Sequence, residues 1–383
     1  MIRNATKRAR VLGIAVLASA LLAGCTGGTE FVQTTFYPVS GEGRLENAAF
    51  MNTFWWTMAI LFLVSFLVIY VVWRFRERPD MPHPEQIHGN TKLEILWTVI
   101  PAIVTVFIMV PAVKGVFALQ RAPVPGALEI EVIGHQWWWE FRYPSEGVVT
   151  AQQFYVPTGR EVHLRLSSAD VIHSFWVPRI VGKRDVLPQP RVAEGENPRP
   201  NHIVFTADSA GHYRGQCAEY CGEGHAIMAT QAVAVSPAEF DAWVQSMKDT
   251  PALPAGQPAA EQAAAPAAAQ DSAPAAPAAP ATLEEQGRQI FLGKTCVVCH
   301  SVANTTARGM VGPNLTRFGA RPYVGAGARP NTLENVEQWI RNPQSLKAGA
   351  LMPGAQEAAG GFPPTGLTDE EIRAVAAWLV SLK

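Results

Sequence analysis

Cysteine and charge are both sparse in this chain, and each scarcity narrows the reading. Of 383 residues only five are cysteine: Cys25, Cys217, Cys221, Cys296 and Cys299. They fall in three separate local contexts, which argues against a disulfide framework and for ligation or covalent attachment chemistry. Charged residues make up 16% of the chain and nearly cancel, with 31 Lys and Arg against 32 Asp and Glu. No basic footprint for nucleic acid results from that balance. No arrangement of nucleophile and general base stands out either, so catalysis at a bound substrate is not expected from this chain alone. The length is sufficient for two or three domains.

Long apolar runs, in contrast, are present. The N-terminus places Arg3, Lys7, Arg8 and Arg10 before VLGIAVLASALL, the pattern of a secretory signal over residues 1–24. It ends in Leu-Ala-Gly-Cys25, which resembles the bacterial lipoprotein box and implies a lipid on Cys25. The run Thr53 to Trp73 is uncharged and matches the ~20 residues needed to cross a bilayer. Arg74, Arg76 and Arg78 follow it and set that end in the cytoplasm. A second run, Ile95 to Leu119, contains Pro101 and Pro111, tolerable where a neighbouring helix satisfies the freed carbonyls. The sequence therefore predicts a two-helix membrane hairpin within residues 25–120, with everything after it outside the cytoplasm. Glu94 opens the second span, where an acid ordinarily complements the helix dipole.

Residues 127–248 read as an all-β domain. LEIEVIG and REVHLRL alternate apolar and polar side chains with the two-residue period of half-buried strands, placing His163 on a polar, solvent-facing side. Residues 249–281 are almost wholly Ala, Pro, Gln and Gly, a linker composition. Residues 282–383 read as an all-α module whose last helix opens with a Thr368/Glu371 capping box and carries Ile372, Val375, Leu379 and Leu382 on one stripe.

Two motifs carry chemistry. Cys296-Val-Val-Cys299-His300 is a haem-attachment pattern: two thiols for the vinyl groups and an adjacent imidazole for the iron. Met310 and Met352 are both available as sixth ligand. GPNLTRFG followed by NPQSLKAGALMPG resembles class I cytochrome c, and that resemblance favours Met352. The second motif, CAEYCGEGHAIM, gathers Cys217, Cys221, His225 and Met228 within one loop. Thiolate, imidazole and thioether together suit copper better than zinc, and two thiolates can bridge two ions. A second imidazole must come from outside the loop, and His173, His202 and His212 are the candidates.

Together CAEYCGEGHAIM, VIHSFWVP and GHQWWWEF, after two spans, resemble subunit II of haem-copper cytochrome c oxidase. The C-terminal cytochrome resembles the caa type. The resemblance implies a cupredoxin-like domain with a binuclear copper (CuA) held by His173, Cys217, Cys221, His225, Met228 and the Glu219 carbonyl. It implies a magnesium ion on the Glu219 side chain, shared with subunit I. It implies electron transfer through Trp137 and a proton-path role for Glu94. Oxidase subunits I and III, an upstream donor and a bacterial inner membrane follow as expected surroundings. A copper-delivery lipoprotein leaves the haem motif unexplained. A nitric-oxide reductase subunit lacks the copper loop, and a quinol oxidase lacks the copper ligands.

Overall fold

The computed structural model describes residues 33–77, 85–188, 201–248 and 282–383. The signal segment with Cys25 and the linker over 249–281 lie outside the described residues.

Two long helices come first, α1 (Gly41–Arg74) and α2 (Thr91–Leu119). At 1.5 Å per residue, α1 is about 51 Å long, well beyond a hydrocarbon core of about 30 Å. It starts twelve residues before the apolar run at Thr53, because its first turns dock on the soluble domain rather than on lipid. Ser40 caps it by accepting from Gly43 N at 2.8 Å and donates its own hydroxyl to Ile180 O. Glu46 accepts from Gly182 N at 3.0 Å. Arg121, just past α2, bridges Glu42 at 3.0 Å and Glu161 at 2.6 Å, tying both helices to the β-domain. Deeper in the hairpin the proline problem is solved locally. Pro111 has no N–H for the carbonyl of Phe107, and Asn52 of α1 donates its amide there at 3.3 Å while Trp56 stacks on Phe107. Most of the remaining apolar side chains of both helices are exposed, as a membrane span requires.

The β-domain is a sandwich of ten strands: β1 (Leu128–His135), β2 (Trp138–Tyr143), β3 (Val148–Ala151), β4 (Gln153–Pro157), β5 (Glu161–Ser168), β6 (His173–Val177), β7 (Val181–Val186), β8 (Asn201–Thr206), β9 (Gly211–Cys217) and β10 (Ala229–Val235). One sheet has the order β3-β2-β1-β5-β8 and the other β4-β10-β9-β6-β7. β1 with β5, and β4 with β10, run parallel, and all other pairs are antiparallel. The expected alternation is present in β1 and β5, where every second residue is buried. His163 is half-buried rather than open, because His202 of β8 lies diagonally across from it with ring centroids 5.6 Å apart. Trp139, Phe141, Phe154, Phe175 and Phe205 fill the space between the sheets. Each such ring contributes about 1.5–3 kcal/mol on burial. Helix α3 (Pro237–Lys248) closes one end, with Trp243 stacked on Tyr155 at 4.6 Å.

The C-terminal module contains α4 (Leu283–Gly293), α5 (Cys296–Cys299), a two-residue ladder of β11 (Tyr323–Val324) with β12 (Arg329–Pro330), α6 (Leu333–Arg341), α7 (Pro343–Leu346) and α8 (Asp369–Ser381). The expected capping box is formed at Thr368 and Glu371, and Ile372, Val375 and Leu379 are buried on the face of α8 that meets α4. Phe291 packs against Trp378 with centroids 4.9 Å apart. The short ladder is the one departure from an all-α module.

Candidate functional site

Strand pairing builds the sulfur site. β6 lies beside β9 with Phe175 opposite Cys217, and Ala218 N donates to Ser174 O at 2.9 Å. That register carries the start of β6 to the end of β9, so His173 meets a loop 44 residues downstream. The loop itself is closed by Cys217 N donating to Met228 O at 2.9 Å. The sulfurs of Cys217 and Cys221 come within 3.7 Å. His173 Nδ1 lies 3.9 Å from Cys217 Sγ, and His225 Nδ1 lies 3.6 Å from Cys221 Sγ. Met228 Sδ is 3.8 Å from Cys221 Sγ, and the Glu219 carbonyl is 3.2 Å from Cys217 Sγ. All six predicted groups thus converge. His212 is exposed at the start of β9, far from Cys217 at its end, and His202 sits in the opposite sheet, so neither joins them.

The donor set fits a soft metal pair. Two metal–thiolate bonds of about 2.3 Å together exceed the sulfur separation, so both sulfurs can bind one ion, and the arrangement is the same for a second. Hydrogen bonding from Cys221, aided by His173 and nearby main-chain groups, outweighs burial and holds the Cys217 thiol well below its ordinary range, and Cys221 is pushed up by the same bond. Burial alone lowers His173, but the Asp170 carboxylate and the Cys217 sulfur outweigh it and raise the ring above its ordinary range.

Asp170 is a residue that sequence reasoning missed. Its Oδ1 pairs with His173 Nε2 at 2.8 Å, leaving Nδ1 aimed at sulfur. Gly134 makes room for that ring: a Cβ there would stand 2.7 Å from His173 Cδ2. Trp137 closes the site on the other side, with its indole N–H donating to Cys221 O at 2.9 Å and only 8% of its surface exposed. Gln136 Nε2 donates to the same carbonyl at 2.7 Å. Glu219 directs an exposed side chain outward beside Tyr220, which is 74% exposed.

Across the interface with the C-terminal module lies an apolar cavity of about 280 Å³. Cys296, Cys299, His300 and Met352 line it, and so does Trp137; Met310 does not. The cavity fits a haem on chemical grounds. His300 Nδ1 donates to Pro313 O at 2.8 Å, which frees Nε2 for iron. Burial lowers this imidazole below its usual range, favouring the neutral, ligating form. Gln344 fixes the methionine loop by donating to the carbonyls of Ala350 and Met352 at 2.9 and 2.8 Å. Glu94, at the far end of α2, accepts from Asn90 N at 3.2 Å and so caps its helix.

A membrane hairpin bearing a two-thiol sandwich and a haem-attachment module defines a membrane-anchored electron carrier. Residues 41–114 match the family profile of the cytochrome c oxidase subunit II transmembrane domain, 147–235 that of its periplasmic domain, and 284–383 that of cytochrome c. Cytochrome c oxidase subunit 2 of Alkalihalophilus pseudofirmus is 37% identical over 333 residues, covering 85% of this chain and 84% of that one. Its counterpart in Bacillus subtilis is 30% identical over 399 residues and covers 98% of both. Among solved structures, the periplasmic domain of cytochrome oxidase subunit II from Bradyrhizobium japonicum is 33% identical, covering 33% of this chain and 97% of that one with a TM-score of 0.29. The chain belongs to the cytochrome c oxidase subunit II family. It is therefore a membrane-anchored subunit of a haem-copper oxidase with an electron-transfer role, and its two soluble domains imply CuA and haem c.

Proposed function

We propose that the chain is the electron-input subunit of a proton-pumping terminal oxidase, with both soluble modules on the periplasmic side of a bacterial inner membrane. When bound, haem c and the copper pair would supply one-electron relay chemistry, the Met/His-ligated haem at a raised potential. The chain's own residues bind and orient these groups. Cys296 and Cys299 would hold haem covalently, and His300 and Met352 would ligate its iron. Cys217, Cys221, His173, His225, Met228 and the Glu219 carbonyl would together hold the copper pair. The Glu219 carboxylate suits a hard cation, and magnesium at the seam with subunit I is its expected partner.

One observation supports the path above others. Trp137 donates to the carbonyl of a thiolate ligand at 2.9 Å and also lines the haem cavity. The chain thus accepts electrons at its cytochrome module and passes them across the indole to the sulfur loop, then to subunit I, where dioxygen becomes water. A soluble cytochrome c or a bc-type complex is the expected upstream donor, and subunit III completes the assembly. Glu94 serves the mouth of a proton path into subunit I, and a lipid on Cys25 adds a second anchor.

The deciding experiment is rapid reduction of the purified oxidase carrying Trp137→Phe. Slowed transfer from haem c to copper, with both centres intact, supports the path. An unchanged rate overturns it.

A further inference from the structure

Lys347 is an unusual lysine. It follows α7 in the cytochrome module, yet it is only 4% exposed. Its ammonium donates to Trp137 O of the sandwich at 2.6 Å and to Gly325 O of its own module at 3.1 Å. Among the described residues no carboxylate pairs with it. Burying an ammonium without a counter-ion is costly unless its hydrogen bonds are met. Here one acceptor comes from each module, so the group is satisfied in this way only while the two are docked. Two neighbouring features show that the contact is shaped. Gly349 lies at φ +74 with its Cβ position 2.6 Å from the Trp137 ring and 2.8 Å from Glu223 Oε2, so no side chain fits there. Ala229 N donates to Ala326 O at 2.8 Å, extending the sandwich edge onto the cytochrome turn.

We propose that Lys347 is the positioning residue of an intramolecular dock, in which its ammonium joins the main chain of Trp137 to the Gly325 turn and holds the haem cavity against the indole. The sandwich is thereby matched to its own cytochrome in preference to a diffusing one. This deepens the reading of Trp137 as the electron-input residue and rests on it. Lys347 touches neither sulfur nor imidazole in this scheme and acts through the placement of Trp137.

The test uses the purified oxidase with Lys347→Met, Lys347→Arg and Gly349→Val, with Trp137→Phe as reference. Three quantities are read: the internal rate from haem c to copper, the haem c midpoint potential, and the rate at which added soluble cytochrome c reduces copper directly. Removing one partner of a buried charged hydrogen bond at an interface should slow the internal step roughly tenfold or more in Lys347→Met. Gly349→Val should slow it likewise with the haem potential unchanged, because Gly349 does not line the haem cavity, and Lys347→Arg should recover part of it. Direct reduction by soluble cytochrome c should rise as the indole is uncovered. Wild-type internal rates in Lys347→Met and Gly349→Val, with a slow Trp137→Phe, would overturn the dock and leave the path standing. Wild-type rates in all of them would sink the path itself. Lys347 also lines the haem cavity, so a slowed internal rate in Lys347→Met beside a wild-type rate in Gly349→Val would make it a residue of that cavity rather than of the dock, and likewise overturn the proposal.

Discussion

Replacing Asp170 with Asn should weaken the copper site without removing any ligand. The carboxylate is saturated by donors: Oδ1 accepts from His173 Nε2 at 2.8 Å and Val171 N at 2.7 Å, and Oδ2 accepts from Gln136 N at 2.6 Å. An amide has one oxygen. If it faces His173, its NH₂ opposes the Gln136 N–H; if it turns over, it opposes the imidazole. Either way a part-buried donor is left unmet, at about 1–3 kcal/mol. Loss of such a partner to a ligating histidine typically costs 10–100-fold in metal affinity, about 1.4–2.7 kcal/mol. Chelator competition on the copper-loaded chain, beside thermal melts of the copper-free chain, separates the two effects. Copper affinity within twofold of wild type would refute the view that Asp170 sets which nitrogen of His173 faces sulfur.

Gly134→Ala should displace the His173 ring, because the added methyl would stand 2.7 Å from Cδ2; copper stoichiometry should fall, with about 1–3 kcal/mol lost by melting. Met352→Ala should leave haem covalently attached but lower its potential, whereas Met310→Ala should not; redox titration of both variants decides between the two methionines. Glu140 sits 7% exposed between His135 and Arg142. Burial raises its carboxyl, but the two partners prevail and hold it below its usual value. Its stabilising effect is thus present above pH about 4.5 and lost as pH falls through the lower folded value. Glu140→Gln should cost about 1–3 kcal/mol at pH 7 and progressively less in acid, read by melts at both pH values.

What was legible in the sequence follows from where the information is stored. The loop from Cys217 to Met228 carries two thiols, an imidazole and a thioether within one turn of chain, so a local reading finds them. His173 is different. Its place at the end of a predicted strand made it one candidate of three and the resemblance singled it out, since the pairing of β6 with β9 that delivers it is non-local. Asp170 and Lys347 left no local signal at all. One acts through an imidazole three residues away on a turn, and the other reaches a carbonyl 210 residues distant. The start of α1 was displaced for a related reason. Hydropathy marks what faces lipid, whereas GEGRLENAAF forms helix because Ser40, Glu42 and Glu46 bind the sandwich.

The dipeptide Gln136–Trp137 explains why these scattered residues belong together. Its main-chain N–H is held by Asp170, which also holds His173. Both of its side chains donate to the carbonyl of Cys221, and its final carbonyl receives Lys347. Copper ligand, indole and cytochrome module are therefore registered through one short segment, whose hydrogen bonds run to Asp170, to the Cys221 carbonyl and to Lys347. Such support from rigid neighbours is what keeps a site within the fractions of an ångström that transfer demands. It also makes the perturbations asymmetric. A change at Asp170 should disturb the copper site and the dock together, because both hang on the same N–H. A change at Lys347 should act first on the dock, because its hydrogen bonds reach only the main chain of Trp137 and Gly325 and no copper ligand. Measuring internal transfer in the Asp170→Asn and Lys347→Met variants therefore separates a shared scaffold from two independent contacts. Copper affinity should fall only in the first, and the transfer rate should fall in both.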